Sequence, residues 1–229
     1  MIRKMLFSLV VLASFMSARA QEEPVDHVQV LMGTMSTYEL SSGNTSLAIA
    51  RPWGMNFWTP QTGRTGDGWQ YPYTANKIQG FKQTHQPSPW MNDYGQFAIM
   101  PVTGELRVKE ADRASWFSHK AEVAKPYYYS VYLADHDTEV ELAPTERAVV
   151  FDIHYPDYQD NYLVIDAMEA PCKIYADESR GVVTGYTTKN SGGVPDNFCN
   201  YFVLTCDVPF ELVSSDSTTL AIGFPRRCV

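Results

Sequence analysis

The sequence predicts an all-β protein, an antiparallel β-sandwich with long aromatic-rich loops. Its 229 residues include 5 Trp, 14 Tyr and 11 Phe, which favour the pleated surface of a sheet. They also include 14 Gly and 14 Pro, which interrupt helices. A hydrophobic fraction of 45% with 19% charged residues is typical of a globular chain rather than a disordered one. The length suits one domain of ordinary size.

Six short segments rich in Val, Ile, Tyr and Phe are predicted as strands, and turn-forming residues separate them. They are Gln96–Met100, Tyr127–Leu133, Ala148–His154, Tyr162–Ala167, Gly181–Thr187 and Asn200–Asp207. In the third, Val149 and Phe151 alternate with Val150 and Asp152, as expected for a sheet with one buried face. Because no helical crossover lies between the segments, we expect antiparallel pairing.

The first twenty residues have the organisation of a secretory signal peptide. A cationic start, Met1–Lys4, precedes an apolar run, Met5–Phe15, and Ala18–Ala20 supplies small residues at a cleavage point before Gln21. The apolar run is too short for a membrane-spanning helix, which needs about 20 residues. We therefore expect a mature chain that begins at Gln21 and is secreted or periplasmic.

The charge of the chain disfavours nucleic acid as a partner. The full sequence has a net charge of -8, and the signal peptide contributes only basic residues to it. The mature chain is therefore more acidic still, and it offers no basic surface that could follow a phosphate backbone. No other apolar stretch is long enough to cross a membrane. We expect neither a nucleic acid nor a membrane partner.

Four cysteines lie in the C-terminal part of the chain: Cys172, Cys199, Cys206 and Cys228. They show no CxxC or metal-ligand spacing, and they are too sparse for a disulfide scaffold. Cys199 and Cys206 are seven residues apart, so on one strand they would point to opposite faces and could not form a bridge. We expect buried free thiols, and any disulfide would have to join cysteines that are distant in sequence.

The segment Gly54–Pro101 is predicted to form long, ordered loops, because it shows little alternation and is rich in Trp, Pro and Gly. Within it, Trp69 and Trp90 offer flat apolar faces, and His85 and Asp93 offer hydrogen-bonding groups. A pyranose has a C–H face that packs on an aromatic ring, and a rim of hydroxyls that needs donors and acceptors. The sequence therefore predicts a carbohydrate site that these four residues contact.

Each of the four residues also has a structural interpretation. The two tryptophans can be core side chains, as we expect for Trp53 and Trp58, which hydrophobic residues flank. His85 can be a satisfied hydrogen-bonding group, and Asp93 can cap the turn in which it lies. These alternatives stay open at the level of the sequence.

Five segments together resemble one known family. They are Met32-Gly33-Thr34, Gly43-Asn44-Thr45, Pro52-Trp53-Gly54-Met55, Gly80-Phe81-Lys82-Gln83-Thr84-His85 and Gly185-Tyr186-Thr187-Thr188. In content and order they resemble the N-terminal domain of glycoside hydrolase family 92, the calcium-dependent exo-acting α-mannosidases. The resemblance runs from about Val25 to Phe210 and implies a supersandwich-like β-sandwich over residues 21–210. It also implies a tryptophan of this domain beside the leaving-group sugar, which we assign to Trp69.

The resemblance places the catalytic groups and the calcium of the family on a C-terminal α/α barrel, which this sequence does not reach. Residues 211–229 look divergent, and we expect a truncated or frame-shifted gene product. The implied function is that of a carbohydrate-contacting domain of a secreted α-mannosidase, which completes an active-site wall shared with the barrel and contacts mannose-containing glycans. The alternatives are a stand-alone carbohydrate-binding module and an inactive fragment.

The chain itself offers no obvious pair of catalytic carboxyl groups. Inverting hydrolysis needs one protonated carboxyl and one carboxylate about 6.5–9.5 Å apart. The acidic clusters Asp135–Glu141 and Asp157–Asp160 lie in hydrophilic turns or on solvated strand faces, where the pKa of a carboxyl group should stay ordinary. The histidines show no ligand spacing. We expect no catalytic residue, no metal ligand and no cofactor in this chain.

Overall fold

The computed structural model of the chain describes residues 23–37, 39, 47–52, 54–63, 71–84, 97–168, 171–190 and 193–225. Over these residues the helices are a 3-10 helix at Pro24–His27 and α1 at Glu110–Arg113, and neither could cross a membrane. The strands are β1 (Phe57–Gln61), β2 (Lys77–Ile78), β3 (Gly80–Thr84), β4 (Ala98–Thr103), β5 (Ser115–Trp116), β6 (Val123–Lys125), β7 (Tyr128–Leu133), β8 (Thr138–Pro144), β9 (Val149–His154), β10 (Asn161–Asp166), β11 (Cys172–Asp177), β12 (Val182–Thr187), β13 (Asn200–Thr205), β14 (Glu211–Ser215) and β15 (Thr219–Phe224).

The strands form four antiparallel sheets. The largest has six strands in the order β1-β3-β4-β10-β15-β14, and the second has four strands in the order β6-β7-β8-β9. The other two sheets over the described residues are a three-stranded sheet, β11-β12-β13, and a two-stranded sheet, β2-β5. Antiparallel pairing, predicted from the absence of helical crossovers, is therefore confirmed.

The six-stranded and four-stranded sheets pack face to face. Trp58 of β1 meets Phe151 of β9 edge to face at 5.0 Å between ring centroids, and Phe81 of β3 lies 6.3 Å from Tyr129 of β7. Trp58 is only 3% exposed, and its indole nitrogen donates to Asn56 at 2.8 Å. The predicted all-β sandwich and the predicted core position of Trp58 are both confirmed, whereas Trp53 lies outside the described residues.

Strand position within the sandwich explains the burial patterns. Every residue of β4 is buried, because the strand is internal to the six-stranded sheet and covered on both faces. Along β8, buried residues alternate with more exposed ones, as expected for a sheet that has water on one side. In β9, where the sequence predicted an alternation, half-buried residues alternate with exposed ones.

The six predicted strands are all present. Five of them, β7, β9, β10, β12 and β13, begin and end within two residues of the expected bounds. The predicted strand at Gln96–Met100 is shifted toward the C-terminus and runs as Ala98–Thr103.

The expectation that Gly54–Pro101 consists of loops is wrong in part, because β1, β2 and β3 lie within it and β4 begins there. These strands lack hydrophobic alternation because they bury polar side chains. Thr59 and Gln61 of β1 and Lys82 of β3 are all within 1% of complete burial. A sequence pattern based on apolar residues does not detect strands of this kind.

The expected domain end at Phe210 also needs correction. β14 and β15 form a hairpin, and β15 pairs with β10 along its whole length from Asn161↔Phe224 to Asp166↔Thr219. Leu220, Ala221 and Ile222 are buried in the main core. Residues 211–224 are therefore an integral part of the six-stranded sheet rather than a divergent appendage.

A buried arginine connects three parts of the sandwich. Arg113, at the end of α1, is completely buried and forms an ion pair with Asp166 of β10 at 2.8 Å. Its Nε donates to the carbonyl of Gln79 and its Nη1 to the carbonyl of Val108, both at 2.8 Å. Because both desolvated charges are paired, loss of either partner would leave an uncompensated charge in the core.

Candidate functional site

The four residues predicted to contact a sugar all lie outside the described residues. Trp69 belongs to the segment 64–70, and His85, Trp90 and Asp93 belong to the segment 85–96. Their roles therefore stay predictions. The structure does describe the residues that precede and follow both segments, and these define where each candidate segment leaves and rejoins the sandwich.

The two segments depart from opposite ends of the same pair of strands. In the register of β1 with β3, Gln61 faces Gly80 at one end and Phe57 faces Thr84 at the other. The segment 64–70 comes after β1, and the segment 85–96 follows β3. The strand ends that precede them, Gln61 and Thr84, are four strand steps apart along the sheet, or about 14 Å. The pairing of β1 with β3 therefore does not by itself bring the two candidate segments together.

The segment 64–70 is followed by a buried hydrogen-bonding network around Glu122. The hydroxyl of Tyr71 donates to this carboxylate at 2.6 and 2.7 Å, and the hydroxyl of Tyr129 donates to it at 2.5 Å. Nδ1 of His119 lies 2.8 Å from Glu122, whose side chain has no exposed surface. Two residues after Trp69, the chain is thus anchored to the interior of the sandwich.

Burial raises the pKa of the two tyrosines in this network. Desolvation, followed by the hydrogen bond and charge of Glu122, raises the pKa of Tyr71 well above its usual range. The same causes, with desolvation again the largest, raise the pKa of Tyr129. Both phenols are protonated at neutral pH even at their ordinary pKa, and the upward shift keeps them as donors to the carboxylate at more alkaline pH.

Aromatic packing holds the imidazole of His119 in place. The ring of Tyr73 stacks on it at a centroid distance of 4.0 Å and an angle of 15°, and Phe117 meets it edge to face at 4.9 Å. No sequence pattern indicated this cluster, because Tyr71 and Glu122 are 51 positions apart and their pairing arises only from the fold. We interpret the cluster as a rigid support for the segment that contains Trp69.

The segment 85–96 rejoins the sandwich at Phe97. The backbone N–H of Gln83 donates to the carbonyl of Phe97 at 3.0 Å, which brings the two ends of the segment together. The ring of Phe97 stacks on Phe202 of β13 at 4.3 Å and 19°, and it meets Trp58 edge to face at 5.8 Å. The three-stranded sheet thereby fixes one end of the segment that contains His85, Trp90 and Asp93.

Gly185 of the Gly-Tyr-Thr-Thr motif makes this stacking possible. A Cβ atom at this position would lie 2.4 Å from Cζ of Phe202 and 2.7 Å from the carbonyl oxygen of Lys173. The phenyl ring of Phe202 therefore occupies the space that any larger residue at position 185 would need. The motif glycine has a packing role that connects it to Phe97 and so to the candidate loop.

The described carboxyl groups whose pKa is clearly shifted do not suit the role of a general acid. Where the pKa of such a group departs clearly from its ordinary value, the shift is downward, as for Asp26, Glu39, Asp137, Asp177 and Asp216. For Asp137 the causes are hydrogen bonds from Tyr132 and Tyr158. A general acid at neutral pH needs a raised pKa instead.

Strand pairing brings three potential metal ligands together on an outer face. Glu141, Asp152 and His154 have donor atoms within 4.8 Å of one another, because β8 pairs with β9. Sequence spacing did not reveal this group, since Glu141 comes from a different strand. Calcium takes about six to eight oxygen ligands. Two carboxylates and an imidazole do not fit it, and the hydroxyl of Tyr128 already donates to Glu141.

The three described cysteines are free thiols, as predicted, although they are half-buried rather than buried. Burial, with the nearby Asp207 carboxylate as the second cause, raises the pKa of Cys206 to about 11. Burial also raises the pKa of Cys172. Protonated thiols are poor nucleophiles, so these two residues are not suited to covalent catalysis. Cys228 lies outside the described residues.

Comparisons with known proteins agree with this arrangement. The family model of the glycosyl hydrolase family 92 N-terminal domain matches residues 27–220, ten residues beyond the boundary expected from the sequence. A search of curated proteins gave no match.

Among solved structures, the chain is similar to a family 92 inverting mannosidase from Bacteroides thetaiotaomicron. The identity is 42%, the TM-score is 0.83, and the match covers 90% of this chain and 30% of the mannosidase. A family 92 α-mannosidase from the same bacterium, with 22% identity and a TM-score of 0.71, shares the fold over 89% of this chain and 31% of its own. The chain thus spans about 30% of the length of these enzymes. It belongs to glycosyl hydrolase family 92, as the counterpart of that family's N-terminal domain.

Proposed function

We propose that this chain provides the carbohydrate-contacting wall of an α-mannosidase active site whose catalytic groups lie in a separate domain. The observation that carries the proposal is the family match over residues 27–220, together with 42% identity to an inverting mannosidase. The mannosidase is about three times as long as the part matched here. Its additional length is where we place the α/α barrel and the pair of catalytic carboxyl groups.

In this proposal Trp69 stacks on the C–H face of the leaving-group sugar, and Trp90 adds a second apolar surface. His85 and Asp93 hydrogen-bond to sugar hydroxyls. Such contacts raise the rate if they strengthen as the sugar distorts toward the transition state. Inverting hydrolysis also needs an acid and a base about 6.5–9.5 Å apart, and both come from the other domain.

The rigid supports described above favour this role. The network around Glu122 anchors the chain after Trp69, and the stack of Phe97 on Phe202 anchors it after Asp93. A platform that is held in place before the sugar binds loses less conformational entropy on binding. We place the calcium of the family in the other domain as well, because the group of ligands at Glu141 does not suit it.

The experiment is a chimaera in which residues 27–220 replace the matching part of the 42% identical mannosidase. Trp69→Ala should lower kcat/KM for an α-mannoside by roughly 1–3 kcal/mol of transition-state binding, the scale of burying one large side chain. The melting temperature should barely change. Trp58→Ala is the matched control, because truncation of a core tryptophan costs about 3–5 kcal/mol of stability.

Two results would contradict the proposal. The first is a large fall in melting temperature for Trp69→Ala, which would show that Trp69 is a core residue and not a sugar contact. The second is an unchanged kcat/KM in all three variants Trp69→Ala, His85→Ala and Trp90→Ala, which would show that none of these side chains contacts the sugar.

Export is a second part of the proposal. The organisation of Met1–Ala20 supports a cleavable signal peptide and a mature chain that is secreted or periplasmic. Protein recovered from the periplasm or medium should begin at Gln21 by N-terminal sequencing. Exported protein that retains Met1 would contradict this assignment.

A further inference from the structure

The outer face of the three-stranded sheet has an unusual composition. Of the side chains that point outward from β11, β12 and β13, we call six the tyrosine face. They are Lys173, Tyr175, Thr184, Tyr186, Tyr201 and Val203. Alternation along the three strands places Ile174, Val183 and Phe202 on the opposite face, where they pack against the main core.

The strand register arranges the tyrosine face in two rows. Lys173 lies opposite Tyr186, which lies opposite Tyr201, so a cation and two aromatic rings form the first row. Tyr186 and Tyr201 have ring centroids 5.8 Å apart at an angle of 51°. The second row contains Tyr175, opposite Thr184, and Val203 beyond it. Directly opposed residues on neighbouring strands lie close enough to form one continuous surface.

This surface is exposed although it is largely aromatic. Tyr201 is 73% exposed, Tyr175 is 61% exposed and Val203 is 70% exposed. A contiguous patch of exposed apolar and aromatic side chains often marks an interaction site. The core does not require these side chains, because Phe202 and its neighbours supply the packing on the other face.

The patch contains an open depression large enough for a small ring-shaped ligand. Tyr175, Tyr186 and Tyr201, with Lys173, Thr184 and Gly185, line an open cavity of ≈ 340 Å³. Such a volume lies at the lower end of small-molecule sites. Phenol hydroxyls, the Thr184 hydroxyl and the Lys173 ammonium stand beside the rings, so apolar faces and hydrogen-bonding groups converge in one place.

We propose that the tyrosine face binds a neutral hexopyranose unit of a mannose-containing glycan, by stacking on Tyr201 and Tyr175 with hydrogen bonds from Lys173 and Thr184. A pyranose presents one C–H face and a rim of hydroxyls, which match the rings and the polar groups of the cavity. The net charge of -8 on the whole chain disfavours an anionic glycan, and a neutral sugar needs no counter-charge.

The choice of mannose as the sugar rests on the proposed function, whereas the existence of the platform does not. Phe202, adjacent to Tyr201 but on the inner face, stacks on Phe97 at the end of the candidate loop. The tyrosine face and the stack of Phe202 on Phe97 therefore lie on opposite faces of the same three-stranded sheet. A glycan with several units can contact both places, so the platform would retain a polymeric substrate near the proposed active-site wall.

The test uses the 229-residue chain without further domains. Its migration in a native gel that contains soluble α-mannan is compared with migration in gels that contain a neutral β-glucan or no polysaccharide. Retardation in α-mannan is expected for the unmodified chain. Tyr201→Ala and Tyr175→Ala, each at an exposed position, should weaken the apparent affinity by about tenfold or more, because each removes a ring that the sugar covers. Thermal melting should be unchanged for both.

Matched variants separate this proposal from the proposed function. Tyr158→Ala removes an exposed ring outside the three-stranded sheet, and it should leave the retardation in α-mannan intact because the tyrosine face remains. If Trp69→Ala abolishes retardation and both tyrosine variants retain it, the platform proposal is overturned while the proposed active-site wall stands. Retardation in β-glucan but not in α-mannan would support a sugar-binding tyrosine face and would show that mannose is not the sugar that it binds.

Two further outcomes would overturn the platform itself. The first is an absence of retardation in every polysaccharide for a chain that melts cooperatively. The second is a concentration-dependent sedimentation coefficient that Tyr201→Ala abolishes, because the face would then be an interface between copies of this chain.

Discussion

Gly185→Ala tests how the family motif supports the candidate loop. The added methyl group would lie 2.4 Å and 2.6 Å from two ring carbons of Phe202 and 2.7 Å from the carbonyl oxygen of Lys173. Real Cβ atoms do not approach other atoms so closely, so something must move. A shift of the Phe202 ring would disturb its stack on Phe97, and the carbonyl of Lys173 is part of the β11–β12 ladder.

The magnitude follows from two opposing effects. Overpacking of a tight core costs about 1–3 kcal/mol. Replacement of a glycine by alanine offsets about 0.4–1 kcal/mol of this, because it reduces the conformational freedom of the unfolded chain. We therefore expect Gly185→Ala to lower the free energy of unfolding by about 1–2 kcal/mol. For a domain of this size, that loss lowers the melting temperature by about 2–8 °C.

Urea unfolding of the mature chain, followed by far-ultraviolet circular dichroism, measures this loss. Thr184→Ala is the control, because it changes the neighbouring residue on the outer face and should stay within about 0.5 kcal/mol of the unmodified chain. Adding Phe202→Leu should relieve only part of the strain, since the contact with the Lys173 carbonyl remains. A Gly185→Ala protein as stable as the Thr184→Ala protein would refute the packing argument.

Three other predictions concern the core, the pH response and activity. Arg113→Met should lower the free energy of unfolding by about 3–5 kcal/mol, because it leaves Asp166 as an unpaired charge in the core; urea unfolding will check this, and a loss below 1 kcal/mol would contradict it. Burial lowers the pKa of His136, whose Nδ1 accepts from the Thr103 backbone, so below pH 6.5 the unfolded chain binds more protons than the folded one. Stability should therefore fall as the pH drops from 7 through 6.5 toward the lowered pKa, and His136→Gln should flatten this part of the pH profile; an equal slope in both proteins would exclude His136 as the cause. Finally, the purified chain should not hydrolyse aryl α-mannosides with or without calcium, and turnover that disappears in a carboxylate variant would overturn this expectation.

Two of the strands that the sequence predicted, β9 and β13, share one physical feature. Each has one face toward the core and the other toward water, so their side chains alternate in a way that local sequence reports. β1 and β3 do not alternate, because the fold buries Thr59, Gln61 and Lys82 inside the sandwich. Only the pairing of distant strands shows that these polar residues belong to a sheet.

For the candidate site, too, the sequence predicted some features and only the structure showed others. Motifs such as Gly185-Tyr186-Thr187-Thr188 identified the family from sequence alone, and the family match confirms that identification. Composition and turn residues likewise determined the all-β class. The motif did not show why it begins with glycine, since Phe202 comes from another strand.

Tertiary structure alone decided which residues meet. Tyr71 reaches Glu122 across 51 positions, and β12 brings Tyr186 beside Tyr201 to form an aromatic face that no local pattern contains. The reason is physical: local sequence determines which way a side chain points from its own strand, whereas strand register determines its neighbours. A binding surface depends on neighbours, and for that reason the sequence could define the family and the strands of this protein but not the tyrosine face.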